Sequence, residues 1–293
     1  MKKVLGIVSS PRKGGNSEIL TKQIMLDTGN DNQFEMLRLL DLHIEPCKAC
    51  YSCMKPGKKC PRNDDMEFFF RKINEADGVV ISCPVYNWGV NVGIKKVFDR
   101  SFLFPHWAET FENKPCVTFV TYGVPHEEGY ALGTINEFAR QLHLRLKDTA
   151  DFYGSSPGEV LKLEKNMAKA KRLGQALFDP SYKRKAGDFE CPNCFSNMLK
   201  FRSEKDLPLT GWRDIGDVEC ALCGTVVELK SSAEGKIEAR YHGKAHYVED
   251  IEQRKSKWHG AVIKAFMKEK EHIQGLMEKY KKMEVKIVNR DKD

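Results

Sequence analysis

Two groups of cysteines are the residues of this sequence best suited to do chemistry. The first lies in CKACYSCMKPGKKC at 47–60, where gaps of two, two and six residues separate four thiols. Thiolates that converge from one short, turn-forming segment can surround a metal centre, and compact CxxC steps are typical of iron–sulfur ligation. The spacing therefore predicts a cluster site at Cys47, Cys50, Cys53 and Cys60. Zinc at the same residues, or metal-free structural or redox thiols, are the alternatives.

The second group consists of two CxxC pairs farther along the chain, CPNC and CALC. Each pair forms a tight turn that directs two sulfurs at one point, and two such turns build a tetrahedral site. Cys191, Cys194, Cys220 and Cys223 are therefore expected to bind one Zn²⁺, with a single iron of the rubredoxin kind as the alternative. Zinc here would be structural, whereas iron would relay electrons.

A third candidate site is SSPRKGGNSE, which lies between a short β-branched run and an amphipathic segment. The start of a helix offers unpaired N–H groups and the positive end of its dipole to an anion. The spacing matches neither GxGxxG nor GxxxxGK[ST], and an ordinary helix N-cap at Asn16 or Ser17 is the alternative. Short polar side chains and an arginine nevertheless suit a phosphate, and the residues assigned to it are Ser9, Ser10, Arg12, Asn16 and Ser17.

These sites need a scaffold, and the order of the apolar segments predicts one. Apolar, β-branched runs indicate five strands, and segments with helical periodicity separate most of them. The strands are expected at 4–8, 34–39, 78–82, 115–123 and 144–154. Strands that alternate with helices need crossover connections, and hence a parallel sheet with helices on both faces. The order fits an α/β fold with a flavodoxin-like, doubly wound, five-stranded parallel sheet.

The composition of the chain changes after Pro180, and this change sets the expected domain boundaries. A flavodoxin-like domain that contains the cysteine loop is expected over 1–180. A polar, basic linker then leads to a small β domain over 187–247, which holds the two CxxC pairs. Apolar residues at helical spacing predict a C-terminal helix over 249–287.

Composition and charge restrict the class of protein. The chain has 293 residues, of which 41% are hydrophobic and 30% charged, a profile typical of a soluble globular protein. No apolar run is long enough for a signal-peptide core or a membrane span, so we expect a cytoplasmic protein whose ten cysteines stay reduced. A net charge of +7 without a dense basic block does not favour nucleic acid as a partner.

Four segments resemble one known family. SSPRKGGNSE, PVYNWG, KKVFDR and TYG occur in the order and on the elements seen in the flavodoxin-like, NAD(P)H-dependent FMN reductase group. The resemblance covers residues 1–178 and implies that the first loop binds the phosphate of FMN. It also implies that two later segments border the flavin ring. These are Pro84, Val85, Tyr86, Asn87 and Trp88 after the third strand, and Thr121, Tyr122 and Gly123 after the fourth.

The cysteine loop and its flanks, PCKACYSC and CPRNDDM, are similar to the iron–sulfur flavoproteins, a branch of the same group. This resemblance implies FMN together with one [4Fe–4S] cluster on the four cysteines of 47–60. It implies an electron-transfer oxidoreductase with ferredoxin or NAD(P)H as the donor and a small molecule as the acceptor. It also implies a homodimer or homotetramer. No side chain is needed as a nucleophile, since the protein positions and tunes the flavin.

Two other functions are compatible with the sequence. One is a cluster-free NAD(P)H-dependent FMN or quinone reductase, in which nicotinamide passes hydride directly to the flavin. The other is a redox-sensing module whose CxxC pairs form a nucleic-acid-binding zinc ribbon. The basic residues compatible with this second function are scattered: Lys200, Arg202, Lys205 and Arg213.

Overall fold

The structure is a computed structural model, and it describes two continuous stretches and several shorter pieces of the chain. The described residues are 1–55, 58–201, 217–232, 234–243, 264, 267–272, 274–275 and 277–278. The chain forms two compact units, Met1–Lys205 with Ile215–Glu249 and Asp206–Asp214 with Asp250–Asp293. Both β-sheets belong to the first unit, and the described residues of the second unit are helical and exposed.

A five-stranded parallel sheet forms the centre of the first unit. Its strands are Lys3–Val8 (β1), Gln33–Arg38 (β2), Gly78–Tyr86 (β3), Pro115–Tyr122 (β5) and Arg145–Tyr153 (β6). Their order in the sheet is β2–β1–β3–β5–β6, and all neighbouring strands run parallel. This arrangement confirms the flavodoxin-like, doubly wound fold, in which the strand order reverses beside β1.

Helices cover both faces of this sheet because successive strand residues point to opposite sides. The helices of the first unit are Asn16–Leu26 (α1), Met66–Glu75 (α2), Val92–Phe98 (α3), Ala108–Phe111 (α4), Ala131–Gln141 (α5) and Glu164–Phe178 (α6). In β1, Leu5 and Ile7 join the apolar cluster that contains Phe69 of α2, whereas Val4 joins the cluster that contains Leu20 of α1. Each face of the sheet therefore has its own apolar core.

Two elements next to the candidate sites were not predicted. Helix α2 follows the cysteine loop, and its buried residues Met66, Phe69, Phe70 and Ile73 have the i, i+3, i+4, i+7 spacing of a helix. Its signal was therefore present in the sequence. The second element is the short strand β4, Gly89–Val90, which turns back antiparallel on the end of β3. A two-residue strand is too short to produce a periodic signal.

The two CxxC pairs lie with a small antiparallel sheet of order β10–β9–β8–β7. This agrees with the predicted small β region around a four-cysteine site. Its strands are Leu199–Phe201 (β7), Val218–Cys220 (β8), Val226–Ser231 (β9) and Ile237–His242 (β10). The boundaries expected at 180, 187 and 247 stay predictions, as does the extent of the helix at 249–287, most of which lies outside the described residues.

The segment predicted as a linker is fixed to β6 by one buried carboxylate. Asp148 is fully buried and accepts hydrogen bonds from the hydroxyl of Tyr182 (2.6 Å) and from Nε of Arg172 (2.8 Å). It also pairs with Nε of Arg184 (2.9 Å). A buried charge is tolerated only when such partners satisfy it. The contacts of Tyr182 and Arg184 with Asp148 therefore hold the segment that leads to the CxxC pairs against β6.

None of the helices among the described residues combines the length and the apolar character that a membrane span needs.

Candidate functional site

The loop between β1 and α1 lies at the carboxyl edge of the sheet, beside the reversal of strand order. Helix α1 starts after Gly15 and receives no side-chain cap from any described residue, so its first N–H groups are available to an anion. Gly14 adopts a φ of +65°, a conformation that glycine reaches without strain. The predicted alternative, in which Asn16 or Ser17 caps the helix, is not the arrangement found.

Three of the five side chains assigned to the phosphate bind other parts of the protein. Their partners lie beyond β4, on β5 and after β6, so the bonds hold the loop in shape and bring the three predicted flavin segments together. The bonds run from Ser9 Oγ to Asn91 Oδ1 (2.6 Å), between Ser17 Oγ and Thr121 Oγ1 (2.8 Å), and from Asn16 Nδ2 to the Gly154 carbonyl (2.8 Å).

The remaining two assigned residues are placed differently. Ser10 is buried, and its Oγ accepts a hydrogen bond from the backbone N–H of Arg12 (3.2 Å), which closes a local turn. Arg12 itself is exposed. Its guanidinium is therefore the assigned side chain most accessible to a ligand, together with the N–H groups of the loop and of α1.

Sequence reasoning missed a second arginine that shapes this loop. Arg38, the last residue of β2, donates to the carbonyls of Ser10 and Pro11 (3.3 Å each) and pairs with the buried carboxylate of Glu18. A hydrogen bond from Lys22 lowers the pKa of Glu18, and the charge of Arg38 adds to this effect. Glu18 in turn accepts from the N–H of Gly14 (3.1 Å). Lys22 and Arg38 thus offset the negative charge that Glu18 brings to the start of α1.

The hairpin after β3 carries two exposed aromatic side chains at the same edge. Tyr86 is 51% and Trp88 55% exposed, and Asn87 and Trp88 both have positive φ (48° and 62°), which makes the reversal tight. The backbone N–H of Tyr130 donates to the carbonyl of Trp88 (2.7 Å) and holds the hairpin in place. Pro84 and Val85 are half-buried beneath it. Large apolar rings that a monomer leaves exposed indicate a binding surface.

The end of β5 is the third segment at this edge of the sheet. Together with the loop before α1 and the hairpin after β3, it borders the crevice predicted to bind the flavin. Thr121 is buried against Ser17, and Gly123 is exposed where the chain leaves the sheet. The hydroxyl of Tyr122 donates to Asp151 (3.1 Å). Burial and the negative charge of Asp151 raise the pKa of Tyr122 to about 12, so this phenol stays neutral and remains a hydrogen-bond donor.

The four cysteines of 47–60 line one pocket. Cys47 and Cys50 are exposed, whereas Cys53 and Cys60 are half-buried. The loop is compact because two non-glycine residues between its cysteines, at positions 49 and 51, adopt positive φ (49° and 53°). Within the described residues, these sulfurs are not gathered within 4.8 Å of one another, as the four sulfurs of the CxxC pairs are.

A buried arginine donates a hydrogen bond to this loop. Arg100 is 3% exposed, donates from Nη2 to the Sγ of Cys60 (3.3 Å) and from Nη1 to the carbonyl of Glu45 (3.4 Å), and pairs with Asp64. Hydrogen bonds and nearby cations favour thiolates and an anionic cluster. Arg100 is 40 residues from Cys60 in sequence, and no local pattern links the two.

Two further contacts in the loop act on its sulfurs. The backbone N–H of Ala49 donates to the Sγ of Cys47 (3.3 Å). The N–H of Ser52 lowers the pKa of Cys50, while burial, with a contribution from Cys60, raises the pKa of Cys53. The donor set, four thiols with N–H groups directed at two of them, fits the chemistry of a sulfur-ligated cluster.

The two CxxC pairs converge as predicted. All four side chains are buried, and their sulfurs lie within 4.8 Å of one another, with Cys191–Cys223 and Cys194–Cys220 at 3.5 Å. Metal–sulfur bonds of about 2.3 Å in a tetrahedron place the sulfurs about 3.8 Å apart. The site therefore fits one metal ion and is too small for a multi-iron cluster.

This four-cysteine site is fastened to the flavodoxin-like sheet through α5. Asn136 is fully buried, donates from Nδ2 to the carbonyl of Cys194 (3.0 Å), and accepts from the hydroxyl of Thr149 (2.9 Å). At Gly133, one turn earlier, a Cβ would lie 2.5 Å from the side chain of Leu222. The contact is thus both hydrogen-bonded and closely packed, and the metal site and the sheet are expected to be coupled in stability.

We expect Asn136→Leu to lower the free energy of unfolding by about 2–4 kcal/mol, because it leaves buried polar groups on both sides without a partner. Urea denaturation measures the change, and metal analysis checks that one ion per chain is retained. Asn74→Leu on the exposed face of α2 is the matched control, with an expected change below about 0.5 kcal/mol. Equal effects of the two substitutions would contradict the coupling.

Comparisons with known proteins agree with this geometry. The model of one protein family, described as NADPH-dependent FMN reductase, matches residues 2–148. Among curated proteins, an iron–sulfur flavoprotein of Methanocaldococcus jannaschii is 37% identical over 100 residues, which are 34% of this chain and 51% of that protein. One from Archaeoglobus fulgidus is 29% identical over 191 residues, 64% of this chain and 84% of that protein. The match thus spans about half the length of the first relative.

A solved structure supports the same fold. A protein described as flavone reductase superposes with a TM-score of 0.69 at 19% identity, covering 98% of this chain and all of that one. At this level of identity the likeness concerns the fold.

Proposed function

The chain belongs to the NADPH-dependent FMN reductase family, and we therefore propose that it is an FMN-dependent oxidoreductase that couples the flavin to an iron–sulfur cluster. The observation that carries the proposal is the meeting of three segments at the reversal of strand order. Hydrogen bonds from Ser9 and Ser17 join the loop before α1 to the hairpin region and to the end of β5. In doubly wound sheets, ligands bind at this position.

The residues around this crevice fit FMN. The N–H groups at the start of α1 and the guanidinium of Arg12 would hold the phosphate. Tyr86 and Trp88, whose rings are exposed, would border the flavin ring, as would the exposed Gly123 after β5. When bound, FMN can exchange two electrons together or one at a time. We assign the protein a binding and orienting role, and no catalytic acid, base or nucleophile.

A cluster at Cys47, Cys50, Cys53 and Cys60 is the finer part of the proposal. Curated relatives carry the name iron–sulfur flavoprotein, and this likeness favours a cluster over zinc at these four cysteines. A [4Fe–4S] cluster supplies single-electron transfer. Arg100 would stabilise its negative charge through Cys60.

The electron donor, the acceptor and the assembly follow from the same proposal. Cys47 and Cys50 are exposed, so a one-electron carrier such as ferredoxin can approach the cluster directly. NAD(P)H is the alternative donor at the flavin, and the acceptor is a small molecule. We propose a homodimer or homotetramer.

The four-cysteine site is assigned a structural Zn²⁺. Its single-ion geometry and its buried attachment to α5 support a role in stability. For the nucleic-acid alternative, Lys200 is exposed, and Arg202, Lys205 and Arg213 lie outside the described residues. It would require binding to DNA or RNA at moderate salt.

Anaerobic purification followed by reduction tests the proposed function. We expect about one FMN, about four iron atoms and about four sulfides per chain. Addition of NADPH, or of reduced ferredoxin, should bleach the flavin absorbance and produce an electron paramagnetic resonance signal from the cluster. A protein that binds FMN but contains no sulfide would support the cluster-free reductase. A protein that does not bind FMN would contradict the whole proposal.

A further inference from the structure

One buried arginine connects the two ends of the cysteine loop. Arg100 lies just after α3 and lines the pocket of the four cysteines. Its Nη1 donates to the carbonyl of Glu45 (3.4 Å), shortly before the first cysteine of the loop. Its Nη2 donates to the Sγ of Cys60 (3.3 Å), the last cysteine. A single guanidinium therefore contacts both the beginning and the end of the loop.

The carboxylate of Asp64 holds this guanidinium in place. Asp64 pairs with Nη1 of Arg100, and the two side chains are only 1% and 2% exposed. The same carboxylate accepts the backbone N–H groups of Glu45 (3.0 Å) and Met66 (3.3 Å). The pair thus fixes the start of the loop and the first turn of α2 to one another. A buried ion pair satisfied in this way has a defined geometry.

The two terminal nitrogens of Arg100 have different partners. Nη1 serves Asp64 and Glu45, whereas Nη2 is directed at the sulfur of Cys60. Because Asp64 balances the charge of the guanidinium, the pair adds no net charge to the loop. Its specific effect on Cys60 is a directed N–H···S hydrogen bond. Hydrogen bonds to ligand sulfurs are among the factors that set the reduction potential of an iron–sulfur cluster.

We propose that Arg100 is a positioning residue that raises the reduction potential of the cluster through its hydrogen bond to Cys60. The inference rests on the cluster proposed at 47–60. Reduction adds one electron to the cluster and so increases the negative charge that its sulfur ligands share. The N–H donor of Arg100 therefore stabilises the reduced form more than the oxidised form. Asp64 holds this donor in the same orientation in both forms.

A redox titration of the full chain, purified anaerobically with FMN bound, measures this potential. Dithionite supplies the electrons, and the electron paramagnetic resonance signal gives the fraction of reduced cluster. Arg100→Lys keeps a cation opposite Asp64, but its single nitrogen takes the place of Nη1 and leaves Cys60 without the Nη2 donor. The equilibrium constant for reduction should fall about tenfold, or about 59 mV for one electron. The flavin potential, read from visible absorbance, should not change.

A control and a second variant separate the hydrogen bond from other effects. Arg62 lines the same pocket, but its guanidinium pairs with Glu45, so Arg62→Lys should change the equilibrium constant less than about twofold. The double variant Arg100→Met, Asp64→Leu removes the buried pair as a whole and leaves neither charge unpaired. Because the pair is neutral, a lower cluster potential in this variant reports loss of the hydrogen bond rather than loss of charge.

The outcomes distinguish this inference from the proposed function. A lower cluster potential in both Arg100 variants, with FMN retained and Arg62→Lys unchanged, supports the inference. It is overturned if the potential does not move, or if both variants lose iron and sulfide, because Arg100 would then hold the cluster without tuning it. In these two cases the parent chain still contains the cluster, and the proposed function stands. A parent chain without sulfide removes both the cluster and the inference.

Discussion

Cys50→Ala is expected to abolish the iron–sulfur cluster while FMN remains bound. A [4Fe–4S] cluster needs all four thiolate ligands, so removal of one should reduce the iron and sulfide content by about four atoms each per chain. Cys50 is exposed, so its truncation leaves no cavity in the core. FMN should be retained because its proposed ligands come from other segments. Iron and acid-labile sulfide analysis after anaerobic purification, together with the visible spectrum, measures both groups.

The matched control for this result is Cys116→Ala. Cys116 is fully buried in β5, and burial raises the pKa of its thiol, so it remains protonated and unsuited to bind metal. This variant should keep all of its iron and sulfide. Equal iron content in Cys50→Ala and the parent chain would remove the cluster from the proposal. Loss of zinc from Cys50→Ala, without any loss of sulfide, would instead support the zinc alternative.

Arg12→Glu is expected to weaken FMN binding about 100-fold or more at low salt. The substitution removes a charge-assisted hydrogen bond to the phosphate, worth about 1.5–3 kcal/mol, and adds repulsion between two negative charges. Arg12 is exposed, so stability of the fold should change little. Titration of the apoprotein, followed by quenching of flavin fluorescence, gives the dissociation constant.

Two controls make this prediction specific to the phosphate. Arg71→Glu reverses an exposed charge on α2 and should leave FMN affinity within about twofold. Riboflavin, which lacks the phosphate, should bind Arg12→Glu and the parent chain about equally. If Arg12→Glu weakens riboflavin as much as FMN, the arginine does not contact the phosphate. The difference should shrink as salt is added, since screening reduces interactions between exposed charges.

The proposed flavin site shows how much of a site local sequence patterns can predict. The loop before α1, the PVYNWG hairpin and the end of β5 were each identified from sequence, and they do lie at one edge of the sheet. The contacts that their side chains make were harder to predict from sequence. Asn16 was assigned to the phosphate, yet its amide binds the Gly154 carbonyl, 138 residues away. The sequence also contained no sign that Arg38 would support the loop carbonyls from β2.

The two groups of cysteines show the same limit of local sequence patterns. The CxxC pairs converge because each pair is a local turn, and a turn of four residues is encoded in its own sequence. Their attachment to α5 through Asn136 is not encoded in the local sequence, and neither is the contact of Arg100 with Cys60. Helix α2 was not predicted, although its buried residues have the regular spacing of a helix.

By itself, the sequence determined the α/β sheet, the position of the loop between β1 and α1 and the convergence of the CxxC pairs, because each depends on periodicity or spacing within a few residues. Only the tertiary structure decided which polar groups face a ligand and which brace the scaffold. Ser9 and Asn91 are 82 residues apart, and their hydrogen bond exists because β1 and β3 are neighbours in the sheet. The hydrogen bond from Arg100 to Cys60 likewise joins residues 40 positions apart, because the segment after α3 packs beside the cysteine loop.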